Sequence, residues 1–145
     1  MIDILNEVNS RGCDVKYCFD IGHLLTIDLP MHKENFNKES IPERPEDLLE
    51  DIPAELFYKV HLNDFWINRD PEGEGKGEPP FKFHPPLHRE TGFLKKENLI
   101  RFAEILRSKG AELIIVETAV RDIEDLLNAK QIIADETAYL NEVLK

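Results

Sequence analysis

The sequence lacks the features that mark several common classes of protein. Its 145 residues include only two cysteines, Cys13 and Cys18, and four residues separate them. This spacing fits neither a CxxC redox motif nor a zinc-finger pattern, so reduced, structural thiols are expected. No apolar run approaches the roughly 18 residues of a membrane span, and no signal peptide is recognisable. These absences predict a cytoplasmic protein that does not associate with a membrane.

Positive charge is also scarce. The chain has 18 lysines and arginines against 29 aspartates and glutamates, which gives a net charge of −11. A surface that binds nucleic acid or an anionic membrane needs a basic footprint, so neither is an expected partner. The hydrophobic fraction of 41% and the charged fraction of 32% are typical of a globular protein. The length predicts a single domain, residues 1–145, with a core of its own.

Helix and strand patterns alternate along the chain. Strands are predicted over 15–20, 58–63 and 112–118, and helices over 1–9, 45–51, 96–109 and 122–144, with an irregular stretch at 24–42. The third strand is almost continuously apolar, which indicates a strand covered on both faces. Alternation of this kind predicts an α/β fold in which about three parallel strands are joined by right-handed crossovers and flanked by helices.

The segment 65–95 is far longer than the usual connection of about 4–6 residues, so it is expected to be either functional or disordered. Its first half is rich in glycine and acidic residues and is expected to be mobile. Its second half sets His84 and His88 among prolines and phenylalanine. This composition indicates an ordered loop placed over a site.

Three side chains with related chemistry fall at successive strand ends: Asp20, His61 and Glu117. Ligands bind at the carboxyl ends of parallel strands. Two carboxylates and an imidazole suit a divalent metal such as Zn, Mn or Mg, so a metal site is predicted here. The alternative is a set of residues that binds no metal. Asn63 and Asp64 are expected to orient a neighbouring histidine.

Four motifs carry a resemblance to a known family. They are FDIGH at 19–23, VHLND at 60–64, the H-x-x-L…G-x-L pattern of His84, Leu87, Gly92 and Leu94, and VET at 116–118. In order and spacing they resemble the xylose isomerase-like TIM-barrel superfamily, which includes sugar-phosphate isomerases and epimerases and endonuclease IV. The resemblance covers about residues 15 to 118. It implies a partial TIM barrel, the C-terminal part of a (β/α)8 barrel.

The resemblance also implies roles for individual residues. Asp20, His61 and Glu117 would be metal ligands on the sixth, seventh and eighth barrel strands, and Glu117 would be the best candidate catalytic base. His23 would be a catalytic or substrate-contacting residue in the isomerase branch, or a ligand of a second metal in the endonuclease branch. His84 would match the histidine of a D-x-H loop motif and contact substrate. His88 would be a further substrate contact, or else a solvated loop histidine.

The function implied is that of a metal-dependent isomerase or epimerase acting on a small sugar or sugar phosphate. An endonuclease IV-like phosphodiesterase ranks lower, because Lys82 stands where the D-x-H motif has its aspartate and the net charge is −11. The family's first five strands and fifth-strand glutamate have no counterpart in this sequence. A truncated or split barrel is therefore expected, which would act as a homo-oligomer or with an N-terminal barrel half. The remaining alternative is a non-catalytic barrel fragment that oligomerises.

Overall fold

The computed structural model describes residues 2–26, 44–68, 72–74, 76–77, 81–111, 113–120 and 122–145. The helices are α1 (Ile2–Ser10), α2 (Ile21–Thr26), α3 (Lys96–Lys109), α4 (Ile123–Leu127) and α5 (Ala129–Val143). The strands are β1 (Tyr17–Asp20), β2 (Phe57–Leu62), β3 (Phe65–Ile67), β4 (Phe81–Phe83) and β5 (Leu113–Val116). Short 3₁₀ helices cover Pro45–Leu49, Ala54–Leu56 and Leu87–Arg89. The stretch predicted to be irregular, 24–42, begins within α2, and from residue 27 onward it lies outside the described residues.

Three parallel strands form the main sheet, in the order β1–β2–β5. Asp20 lies opposite His61, and Leu62 lies opposite Val116. The predicted α/β fold, with a three-stranded parallel sheet and flanking helices, is therefore confirmed. Because the strands are parallel and adjacent, their carboxyl ends meet at one edge of the sheet, where Asp20, His61 and Glu117 were expected to converge.

The hydrophobic core joins the sheet to α3 and α5. It comprises apolar side chains of β1 and β2, one face of α3 and the C-terminal part of α5: among others Phe19, Phe57, Val60, Leu62, Leu99, Phe102, Leu106, Leu140 and Val143. Helix α3 has the bounds predicted from its 3.6-residue periodicity. It ends at Gly110, whose φ of 68° is the left-handed conformation that glycine adopts most readily.

The prediction that β5 is covered on both faces is wrong. Leu113 and Val116 are 46% and 38% exposed. Strand β5 pairs with β2 alone among the described strands, so it forms an edge of the sheet. An apolar run of this length is compatible with either position, and periodicity does not distinguish them.

The helix predicted over 122–144 is divided in two. Helix α4 ends at Leu127 and α5 begins at Ala129. Asn128 lies between them with a φ of −101° and a ψ of 8°, and both its backbone N–H and its side-chain amide donate to the Glu124 carbonyl at 3.0 Å. The apolar residues of α4 expected in the core, Ile123, Leu126 and Leu127, are exposed, as is Ile133 on α5.

The described parts of the long segment 65–95 contain regular structure. Strands β3 and β4 pair antiparallel, with Phe65 opposite Phe83, and the 3₁₀ turn Leu87–Arg89 follows. Phe65 is fully buried and stacks on Phe93 with ring centroids 5.0 Å apart. The second half of the segment is also tied to the chain just after β5, because the His84 carbonyl accepts from the Ala119 N–H at 2.8 Å, and it is ordered beside the carboxyl edge of the main sheet as expected.

Candidate metal centre

Asp20 lies at the junction of β1 and α2. Its Oδ1 accepts a hydrogen bond from the His23 backbone N–H at 2.9 Å, as an N-cap residue does at the start of a helix. The same oxygen accepts from the Asn63 side chain at 3.0 Å. With Oδ1 engaged by two donors, Oδ2 faces the neighbouring strand end, 4.0 Å from His61 Nδ1.

His61 lies between the two carboxylates because β2 lies between β1 and β5. Its Nδ1 is 2.7 Å from Glu117 Oε1, so a protonated Nδ1 can donate to the carboxylate and a deprotonated Nδ1 can share a metal ion with it. The other ring nitrogen, Nε2, is buried and has no hydrogen-bond partner among the described residues. Nδ1 is the ring nitrogen that faces both carboxylates, so it is the candidate ligand atom of His61.

Asn63 joins the two carboxylates. Its side-chain nitrogen donates to Asp20 Oδ1 at 3.0 Å and to Glu117 Oε2 at 2.9 Å. Its side-chain oxygen accepts from the Gly22 backbone N–H at 2.7 Å, and a Cβ at Gly22 would lie 2.2 Å from that oxygen. Asn63 therefore contacts the acids rather than a histidine, a role that strand periodicity alone gave no means of predicting.

The donor set fits a metal ion. Asp20, His61 and Glu117 each offer one ligand atom, these atoms lie within 4.8 Å of one another, and all three residues are half-buried. Ligand atoms at about 2.0–2.2 Å from an ion stand roughly 3 Å apart. The distances from His61 Nδ1, 2.7 Å to Glu117 Oε1 and 4.0 Å to Asp20 Oδ2, lie on either side of that value. Two carboxylate oxygens and an imidazole nitrogen form a group that could hold a divalent ion, as predicted.

His23 and His84 lie beside this group. His23 Nε2 is 3.9 Å from Asp20 Oδ2, His84 Nδ1 is 3.6 Å from Glu117 Oε2, and the two imidazole rings meet edge to face at 5.6 Å. Burial lowers the pKa of His84, although Glu117 opposes the shift. The His84 ring is therefore neutral near pH 7. The structure thus brings five of the six predicted site residues, all except His88, into one cluster.

His88 lies apart from that cluster. Its Nδ1 is 2.6 Å from the carboxylate of Glu136 on α5, which is only 5% exposed. Glu136 also accepts from the backbone N–H groups of Leu87 and His88, both at 2.9 Å, and from the Thr118 hydroxyl at 3.1 Å. Glu136 thus links α5 to the two loops that carry His84 and Glu117. No motif in the sequence marked it among the other acids of its helix.

Asp64 holds the loop that follows the site. Its Oδ1 accepts from the backbone N–H groups of Phe65, Phe93 and Leu94 at 2.7–3.0 Å, and its carbonyl accepts from the His84 N–H at 2.8 Å. The carboxylate, which was expected to orient a histidine ring, instead accepts from these backbone amides, and the bond to His84 joins the two main chains. Burial raises the pKa of its carboxyl to about 6, against the lowering effect of the three N–H donors.

No family model matches this chain, and neither does a curated protein or a solved structure. Within the described ranges, no helix is both long and apolar enough to cross a membrane. Cys13 and Cys18 are both free thiols and are exposed. The case for function therefore rests on the geometry of the site.

Proposed function

We propose that this protein is a divalent-metal-dependent isomerase or epimerase of a small sugar or sugar phosphate. The observation that carries the proposal is the convergence of Asp20, His61 and Glu117 at the carboxyl ends of three adjacent parallel strands. Catalytic metal sites commonly use three protein ligands and leave a position open for water or substrate. Zn, Mn and Mg are the candidate ions, since each accepts carboxylate ligands and Zn favours imidazole in addition.

We further propose that the main sheet is the C-terminal part of a (β/α)8 barrel. Its strands are parallel and follow one another in chain order, β1–β2–β5, as consecutive barrel strands do. The candidate ligands lie at the carboxyl ends, the face on which barrel enzymes build their active sites. Either a second copy of the chain or an N-terminal barrel half would complete the sheet.

The ligand atoms would be Asp20 Oδ2, His61 Nδ1 and Glu117 Oε1. A bound divalent ion supplies Lewis acidity that polarises a substrate carbonyl and lowers the barrier to removing the adjacent proton. Glu117 is the candidate base for that proton through Oε2, the oxygen that is not assigned to the metal and that lies 3.6 Å from His84 Nδ1. His84, neutral near pH 7, can hydrogen-bond a substrate hydroxyl at the same place, and the more exposed His23 can do so from the solvent side.

The first test is metal binding by Asp20→Asn and Glu117→Gln. We expect the purified protein to bind about one Mn²⁺ or Zn²⁺ per site in calorimetry, and each substitution to weaken binding at least about 100-fold, because each removes a charged ligand. The matched controls Asp51→Asn and Glu55→Gln change exposed acids outside the cluster and should bind as the parent does. Failure of the parent to bind either ion, alone or with a partner chain, contradicts the proposal.

The second candidate is a non-catalytic barrel fragment that oligomerises. The exposed apolar side chains Leu113 and Val116 on the free edge of β5 favour it. It predicts that Glu117→Gln alters no activity and changes the stability little, whereas blocking the edge strand disrupts assembly. A sugar isomerisation assay on the metal-loaded protein separates the two candidates, since turnover that is lost in Glu117→Gln supports the enzyme alone.

A further inference from the structure

We propose that Asn63 is a positioning residue that sets the ion selectivity of the site, by leaving each carboxylate a single oxygen for the metal. The inference rests on the proposed metal-binding function. Asn63 is only 1% exposed, and its side-chain nitrogen reaches Asp20 Oδ1 and Glu117 Oε2 at 3.0 and 2.9 Å. The oxygens left for an ion are Asp20 Oδ2 and Glu117 Oε1, and these are the ones that face His61 Nδ1.

The asparagine itself is held from the other side. Its Oδ1 accepts from the Gly22 N–H at 2.7 Å, and Gly22 has no room for a Cβ against it. The Asp20 oxygen that Asn63 engages is also bonded to the His23 N–H. Reorienting either carboxylate to present both oxygens would therefore break a partly buried hydrogen bond from Asn63 and leave the nitrogen of this buried side chain with one acceptor fewer, which is costly.

This arrangement distinguishes between classes of divalent ion. Ca²⁺ takes six to eight oxygen ligands at about 2.3–2.6 Å and often uses carboxylates in bidentate fashion. Two single carboxylate oxygens and one imidazole nitrogen instead suit a smaller, more strongly polarising ion such as Mn²⁺ or Zn²⁺. The site should therefore prefer Mn²⁺ to Ca²⁺, and the preference should depend on the Asn63 amide.

The test compares dissociation constants for Mn²⁺ and Ca²⁺, measured by calorimetry and by Mn²⁺ electron paramagnetic resonance. Asn63→Asp keeps an acceptor for the Gly22 N–H but removes the donor to both carboxylates. Asn63→Ser removes the amide donor without adding charge, and the single hydroxyl hydrogen of serine can serve at most one of the two carboxylates. In both variants the ratio of the Ca²⁺ to the Mn²⁺ dissociation constant should fall by at least about tenfold, the scale of effects that partners of metal ligands produce.

Asn98→Asp is the matched control. Asn98 is also buried, donates to the Glu46 carboxylate at 3.1 Å and accepts from the Lys95 N–H at 2.9 Å, but it lies at the start of α3, outside the cluster. It should lose stability and keep the parental ion ratio. Circular dichroism identifies the variants that fold.

The outcomes separate this inference from the proposed function. If the parent protein binds neither ion, both fail. If the parent prefers Mn²⁺ and the folded Asn63 variants keep its ratio, only the role of Asn63 fails. A fall in the ratio that is confined to Asn63→Asp also overturns the inference, because added negative charge then accounts for the gain in Ca²⁺ binding.

Discussion

Asp64 combines a charge with full burial, and this makes the stability of the protein sensitive to pH. Its side chain is 0% exposed, its Oδ1 accepts three backbone N–H donors, and its Oδ2 has no partner among the described atoms. Gly92 packs so closely that a Cβ there would lie 1.8 Å from Oδ2. The loop at 92–94 thus packs closely around the Asp64 carboxyl group. Burial raises the pKa of this group to about 6.

The sign of the pH effect follows from that shift. The folded protein holds the Asp64 proton more tightly than the unfolded chain does, so its stabilising contribution is fully present below about pH 3.8 and is lost as the pH rises through about 6. The loss amounts to about 3 kcal/mol. Asp64→Asn cannot titrate, so between pH 4 and pH 7 the unfolding free energy of the parent should fall relative to that of the variant. Urea denaturation at both pH values measures this, and an unchanged difference between the two proteins would contradict it.

The candidate ligand residues could be predicted from the sequence, whereas the residues that position them could not. Asp20, His61 and Glu117 follow strand patterns, and the geometry of parallel sheets brings strand ends together. The partners of Asn63 and Glu136 are separated from them by 18 to 54 residues along the chain. No local periodicity encodes a contact over such a distance. His88 was predicted to contact substrate because it is a histidine in the same loop as His84. In the structure its side chain pairs with Glu136 on α5.

At the scale of elements, Glu136 fastens α5 to the site. Its four donors come from the 3₁₀ turn after β4 and from Thr118, the residue after Glu117. Glu136→Gln places an amide nitrogen where a carboxylate oxygen now accepts hydrogen bonds, which leaves buried donors unpaired. We expect a loss of about 2–3 kcal/mol in the free energy of unfolding, measured by urea denaturation.

Hydrogen exchange tests the mechanism of that loss. The amides of Leu87 and His88 should exchange faster in Glu136→Gln, because both donate to the removed carboxylate. Glu142→Gln is the control on the same helix: Glu142 is exposed and pairs with Lys96, so its loss should not affect these amides or the denaturation midpoint. Unchanged exchange at Leu87 and His88 would mean that α5 does not hold the loop.

Elements with strong local signals were predicted best. Helix α3 has an apolar stripe over its whole length and a glycine at its end, and both of its bounds were predicted correctly. The position of strand β5 in the chain was predicted correctly, but its burial was not. An apolar run carries no information on how many strands flank it. The division between α4 and α5 occurs at a single residue, Asn128, whose φ of −101° and ψ of 8° depart from helical values, and the apolar periodicity carries no information on the conformation of one residue.

At the scale of the whole molecule, the sheet has a free edge that invites association. The outer edge of β5 carries backbone groups with no strand beside them in the described part of the chain, and Leu113 is 46% exposed there. Such edges pair with another strand unless charge or proline blocks them. Parallel addition of a further strand would also extend the carboxyl edge on which Glu117 lies. We therefore expect the protein to self-associate through β5, or to bind a partner strand there.

Leu113→Lys tests this expectation, because a lysine on an edge strand opposes strand pairing. Leu113 begins β5, at the end away from Glu117, so the substitution should spare the candidate metal site. Sedimentation velocity should detect concentration-dependent association of the parent and its loss in the variant. Leu127→Lys on α4 removes a more exposed leucine, 79% accessible, and should associate as the parent does. A parent that is monomeric at all concentrations, or a variant that still associates, would mean that β5 is not the interface. Metal binding by a strictly monomeric parent would further show that three strands suffice to form the site.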